Sequence, residues 1–201
     1  FSFYPTKNMT VGGDGGMVTT NDKRIADDIR KLRDCGRVSR YEHDVFGFTS
    51  RLNTANAAFG RVQLRHLDEW NERRREIAQR YRSKLKDVEQ VVLPPIDDKD
   101  SRSVYHLFTM LCQDRTGLAQ HLDAHGIDSA IHYPIPIHMQ PIYRETYGFA
   151  PGNYPIAEDL ANRILSIPMS PVLTDMQVDT VSDCIIAVSY THLTLPTTSR
   201  V

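Results

Sequence analysis

In SFYPTKNMTVGGDGG, residues 2–16, one lysine, Lys7, stands between an aromatic segment and a turn of four glycines around Asp14. Glycine reaches positive φ without strain and lets two backbones approach closely, so Gly12, Gly13, Gly15 and Gly16 predict a tight reversal. A lysine that acts as a nucleophile has to sit partly out of water with its lone pair free. Phe1, Phe3 and Tyr4 are available as apolar walls, and Ser2, five residues before Lys7, as a hydroxyl donor to a phosphate. The residues alone leave open an ordinary surface lysine beside a glycine turn. Neither GxxxxGK[ST] nor GxGxxG occurs, which counts against a nucleotide loop.

Working outward, MVTT (17–20) predicts a short strand. Asn21 or Asp22 caps a helix running to about Leu32, with Ile25, Ile29 and Leu32 on one face and Gly36 as its stop. Residues 37–50 are polar and irregular. From Thr54 a single long helix is predicted: Ala55, Ala58, Phe59, Val62, Leu67, Trp70, Ile77, Tyr81 and Leu85 recur every three or four positions, and no proline intervenes before Pro94. Arg73, Arg74 and Arg75 are expected on its solvated face. Beyond the prolines, VYHLFTMLC (104–112) and IDSAIHY (127–133) predict strands around a helix from Thr116 to His125. A proline-rich loop (134–141) and helices at 156–161 and 174–187 follow. Alternating helices and strands place the chain in the α/β class. The expected division is a first domain at 1–80, ending within the long helix, and a second at 81–187.

Charge is balanced, with 24 Lys+Arg against 25 Asp+Glu, whereas a nucleic-acid binder carries a basic excess. No stretch approaches the roughly 20 apolar residues of a membrane helix. FSFYPTKN lacks the charged start and apolar run of a signal peptide. Cys35, Cys112 and Cys184 are far apart, no CxxC or Cys/His cluster suggests zinc, and no metal site is expected. They are expected to be idle thiols in a cytoplasmic protein.

Four ordered segments carry a resemblance. Ser2, Phe3, Lys7, Thr10, Gly15, Gly16, Met17, Val18, Thr20, Asn21 and Asp22 fall in the register of a cofactor-lysine motif, allowing one inserted residue in the turn. GFTSRLNTANAAFGRVQLRHLDEWNERRREIAQRY (47–81), GIDSAIHYPIPIHMQPIY (126–143) and PIAEDLANRILSIPMSPVLT (155–174) follow in order. Together they resemble the DegT/DnrJ/EryC1/StrS family of sugar aminotransferases. The resemblance implies a partial fold-type-I pyridoxal-phosphate (PLP) transferase: the remainder of a large domain and a small C-terminal α/β domain.

It also implies roles. Lys7 carries PLP and moves the proton at the reacting carbon, Ser2 touches the cofactor phosphate, and Tyr4 lies beside the cofactor. Thr49 stands where the family has an asparagine that reaches the phosphate of a partner subunit; threonine still donates a hydrogen bond but is shorter. Arg51 is a candidate for a substrate anion, or for anchoring Glu42 or Asp44. His132 and His138 border the substrate pocket, and Glu158 is expected to cap a helix. The implied reaction moves an amino group from glutamate to a nucleotide-linked keto-sugar, in a homodimer whose sites use residues of both subunits. A non-catalytic regulatory relative, or a family dehydratase with histidine in place of the lysine, are the competing readings; Lys7 favours the enzyme. The family's ring-nitrogen aspartate precedes the lysine motif, so a chain that starts six residues before Lys7 is expected to lack that half and to be inactive alone. VSYTHLTLPT (188–197) resembles the translation of a transposon-end sequencing adapter, so residues 188–201 are expected to be a tail without function.

Overall fold

The computed structural model describes residues 1–193, and the side chains of residues 1–188. The chain divides into two compact units, Phe1–Trp70 and Asn71–Val201. In the first, the glycine turn doubles the chain back so that Ser2 bridges Gly16, with Phe3 N donating to Gly15 O at 2.8 Å and Met17 N to Phe1 O at 3.0 Å. MVTT, expected as a strand, is irregular beyond the bridge at Gly16. Helix α1 (Lys23–Leu32) begins where expected: Asp22 is the cap, its carboxylate accepting from Arg24 N at 2.8 Å. Gly36 reverses the chain at φ +73°, and a Cβ there would lie 1.8 Å from Val45 O, so no other residue fits.

The long helix divides in two: α2 (Thr54–Leu64), capped by Asn53, and α3 (Leu67–Leu85). Arg65 N bonds Val62 O and His66 N bonds Gln63 O, so the last turn of α2 tightens to i→i−3 bonds. The ladder resumes with Trp70 N on His66 O, their rings stacked at 5.6 Å. The apolar spacing runs through this break, which is why periodicity alone does not reveal it.

The second unit carries the core. Strands β1 (Val91–Val92), β2 (Phe108–Cys112) and β3 (Ile164–Ile167) form an antiparallel sheet in the order β1-β2-β3, with Phe108 opposite Ile167 and Met110 opposite Leu165. β2 alternates, turning Phe108, Met110 and Cys112 inward. Against it lie α3 through Ile77, Tyr81 and Leu85, α4 (Arg115–Ala124) through Leu122, and α7 (Asp175–Leu193) through Val178 and Ile185. Burial pushes the Cys112 thiol up to about 11. Residues 127–133 contribute one bridge, Ala130 to Ser166, in place of the expected strand. Helix α5 (Pro141–Tyr147) starts at the last residue of the expected proline-rich loop, with Pro141 in the first helical position, where a missing N–H costs nothing. Helix α6 (Pro155–Arg163) precedes β3.

Three arginines expected on a solvated face instead tie α3 to its surroundings. Arg74 is buried and donates to Tyr105 O at 3.1 Å and Met169 O at 3.0 Å; burial lowers its pKa. Arg75 donates to Ser103 O, and Arg73 to Leu173 O and Asp175. α7 also continues past Ala187, expected as its end, to Leu193, and Val188 packs on the core. The rest of the expected tail, 194–201, lies outside the described residues. Among the described residues no helix is long and apolar enough to cross a membrane.

Arg80 grips Asp179 of α7 through two nitrogens, at 2.7 and 2.6 Å, and Lys84 adds a third contact at 3.2 Å. Hydrogen bonding to Arg80 holds the Asp179 carboxyl down at about 2. A carboxyl depressed on folding contributes stability above its ordinary value and loses it as the pH falls through the folded value. Asp179→Asn should therefore melt below the unsubstituted protein at neutral pH, and the gap should close between about pH 3.8 and pH 2. Thermal melts of both across that range check this.

Candidate cofactor and substrate sites

In the first unit the structure brings Ser2, Tyr4 and Lys7 into one turn. Lys7 N donates to Tyr4 O at 2.9 Å, and Tyr4 N to Ser2 Oγ at 3.4 Å. Lys7 is half-buried, and among the described residues no carboxylate pairs with its Nζ, whereas Lys23, Lys31 and Lys84 each hold one. The aromatic walls expected beside it are largely open: Phe1 is 80% and Tyr4 52% exposed.

The glycine turn is built for close approach. A Cβ at Gly15 would lie 2.6 Å from Val11 Cγ2 and 3.1 Å from Leu52 Cδ1; at Gly16, 2.9 Å from Phe1 O. Gly60 of α2 meets the same Val11, its would-be Cβ 2.8 Å from Cγ1. Val11 and Met9 are the buried hydrophobic residues of this unit. They anchor the segment just after Lys7, so the lysine leaves a fixed point.

Thr49 and Arg51 lie on a second segment that pairs with the end of α1. Thr49 bridges Asp34, and its hydroxyl sits 3.4 Å from Cys35 Sγ. Arg51 Nη1 lies 3.3 Å from Asp34 Oδ1; Glu42 and Asp44, its expected anchors, instead meet Ser39 and Lys31. Asp34 carries no motif signal, and only the fold brings it to Arg51. Around these residues Tyr41 (79%), Phe46 (102%) and Phe48 (69%) are exposed.

The two histidines of the second unit differ. His138 is buried, and its Nε2 meets Glu158 Oε1 at 3.0 Å; the same carboxylate accepts from Gly152 N at 2.9 Å and Tyr154 N at 3.3 Å. The Gly152 amide first, then His138, hold Glu158 below the usual carboxylate range. The expectation that Glu158 caps a helix holds, since these bonds fix the entry to α6; His138 is tied into the same lock. His132 has a different partner, its Nδ1 meeting Ser166 Oγ at 2.9 Å, and both histidines line one apolar cleft of about 530 Å³ with Tyr133, Ile135, Tyr143 and Leu160.

The model of the DegT/DnrJ/EryC1/StrS aminotransferase family matches residues 1–186. The erythromycin biosynthesis sensory transduction protein EryC1 of Saccharopolyspora erythraea is 45% identical over 174 residues, 87% of this chain and 47% of that protein. The dTDP-3-amino-3,4,6-trideoxy-alpha-D-glucose transaminase of Streptomyces venezuelae is 43% identical over 187 residues, 92% of this chain and 48% of that protein. The solved structure of S. venezuelae DesV with a ketimine intermediate superposes with a TM-score of 0.90 at 41% identity, covering 94% of this chain and 50% of that one. The chain thus spans about half the length of the curated relatives it matches. With the family model covering nearly all of the described residues and the fold superposing on a solved member, this chain belongs to the DegT/DnrJ/EryC1/StrS aminotransferase family.

Proposed function

We propose that the whole protein is a PLP-dependent aminotransferase that moves an amino group from glutamate to a nucleotide-linked keto-sugar, with Lys7 as the cofactor lysine. The observation that carries this reading is Lys7 itself: half-buried, free of any acidic partner, and held in one turn with Ser2 in front of a glycine reversal too tight for side chains. The donor set fits the cofactor. PLP, when bound, supplies an electron sink for the bond broken at the amino-bearing carbon. Lys7 Nζ holds the cofactor and moves the proton at that carbon, Ser2 Oγ donates to the phosphate, and Tyr4 packs beside the ring. Thr49 takes the phosphate role across a homodimer interface, while Arg51 is paired with Asp34. The exposed Tyr41, Phe46 and Phe48 support such an interface, since large aromatic side chains in water are ready to be covered. His132 and His138, which both line the apolar cleft, are the substrate-facing histidines. Cytoplasmic sugar biosynthesis is the setting this chemistry suits.

The name of the EryC1 relative favours a second reading, a regulatory protein that binds cofactor or sugar without turnover. Reduction with borohydride separates the two only together with an activity assay. The protein, extended to the length of its relatives and loaded with PLP, should yield a borohydride-fixed adduct that peptide mass spectrometry places on Lys7, and should convert a nucleotide keto-sugar with glutamate. An adduct on another lysine removes the assignment; an adduct on Lys7 without turnover selects the regulatory reading.

A further inference from the structure

Away from the sites described above, α4 and α7 bring together three side chains of metal-binding type. His121 lies in the last turn of α4, His125 is the residue that caps that helix's C-terminal end, and Cys184 lies beside them on α7. One ligand atom from each lies within 4.8 Å of the others. The two imidazole rings are 4.3 Å apart.

Two details go beyond proximity. His121 Nε2 is buried and has no hydrogen-bond partner, although buried imidazole nitrogens are ordinarily satisfied. His125 Nδ1 sits 2.8 Å from the backbone carbonyl of His121. That is how a metal-ligating histidine is usually held: one nitrogen on a carbonyl oxygen, which fixes the tautomer, and the other free to coordinate. His125 is exposed and lines an open cleft with Gln177, Thr180 and Val181, which gives an ion a way in.

We propose that His121, His125 and Cys184 form a site for a divalent cation of the zinc class, bound through two imidazole nitrogens and one thiolate with the fourth position open to water. Zn–N bonds of about 2.0 Å and Zn–S bonds of about 2.3 Å put tetrahedral neighbours about 3.5 Å apart, so closure asks for side-chain rotation only. Cys184 would bind as the thiolate, giving up its proton as the metal enters. Such a site would clamp the end of α4 to α7 and stiffen the second unit, independently of transamination.

The test is a titration of the metal-free full-length protein with Co²⁺, followed by Zn²⁺. One equivalent of Co²⁺ should raise a thiolate-to-cobalt charge-transfer band that Zn²⁺ abolishes, and Zn²⁺ should raise the melting temperature. Cys184→Ser should lose the band. His125→Gln, a change at an exposed side chain that leaves the core alone, should weaken the affinity by at least about tenfold. No band in the unsubstituted protein overturns the proposal, as does a band retained in Cys184→Ser or an affinity unchanged in His125→Gln. If Cys184→Ser does not fold, the His125→Gln arm decides by itself.

Discussion

Lys7→Ala should lower sugar transamination by at least about 10²–10⁴-fold, the range supplied by one positioned proton-transferring group. It should do so with little change in melting temperature. Lys7 Nζ makes no ion pair or hydrogen bond among the described residues, and the turn is held through backbone atoms, by Lys7 N on Tyr4 O and Phe3 N on Gly15 O. The neighbouring core is built from Met9 and Val11, with Val11 against Gly15 and Gly60. Activity and stability should therefore separate at this position. Steady-state rates and thermal melts on the full-length protein check it. A variant that keeps more than about a tenth of the activity removes Lys7 from the chemistry. One that loses activity together with its fold shows that the side chain supports the turn instead.

The second large effect is structural. Tyr81 is fully buried at the centre of the second unit, its ring 5.2 Å from that of Phe108 and its hydroxyl donating to Pro168 O at 2.9 Å. Tyr81→Ala removes an aromatic side chain from a close-packed core, which costs about 3–5 kcal/mol, and strands the Pro168 carbonyl as well. Against a total stability of about 5–15 kcal/mol, that brings the unit to the edge of unfolding. Tyr81→Phe keeps the packing and loses only the hydrogen bond, so about 1 kcal/mol is expected. Urea melts of the two variants give the comparison. Near-equal losses would mean that the hydroxyl, and not the ring, secures the join between α3 and the loop after β3.

The same contrast between local and distant partners separates what was legible in the sequence from what was not. Asp22 as the cap of α1, the reversal at Gly36, the alternation of β2 and the Glu158 cap each depend on residues a few positions apart, and each could be read directly. So could the register of Ser2, Lys7 and the glycines, because a tight turn restricts which residues fit it. The break between α2 and α3 escaped, since both helices continue one apolar spacing and differ only in hydrogen bonds across two residues. The run of Arg73, Arg74 and Arg75 reads as a solvated face by composition; its partners at Ser103, Tyr105, Met169 and Leu173 lie 28 to 100 residues away.

The amino-acid sequence by itself determined the family, through the resemblance of four ordered motifs, and the class of fold, through its alternating helices and strands; it also offered Lys7 as the candidate lysine. Only the tertiary structure decided that Arg51 turns to Asp34, that His138 is held by Glu158 and His132 by Ser166 on one cleft, and that Cys184 meets His121 and His125. Those pairings depend on helices and loops packing across long stretches of chain, and side-chain chemistry at one position carries no record of which distant backbone will arrive beside it.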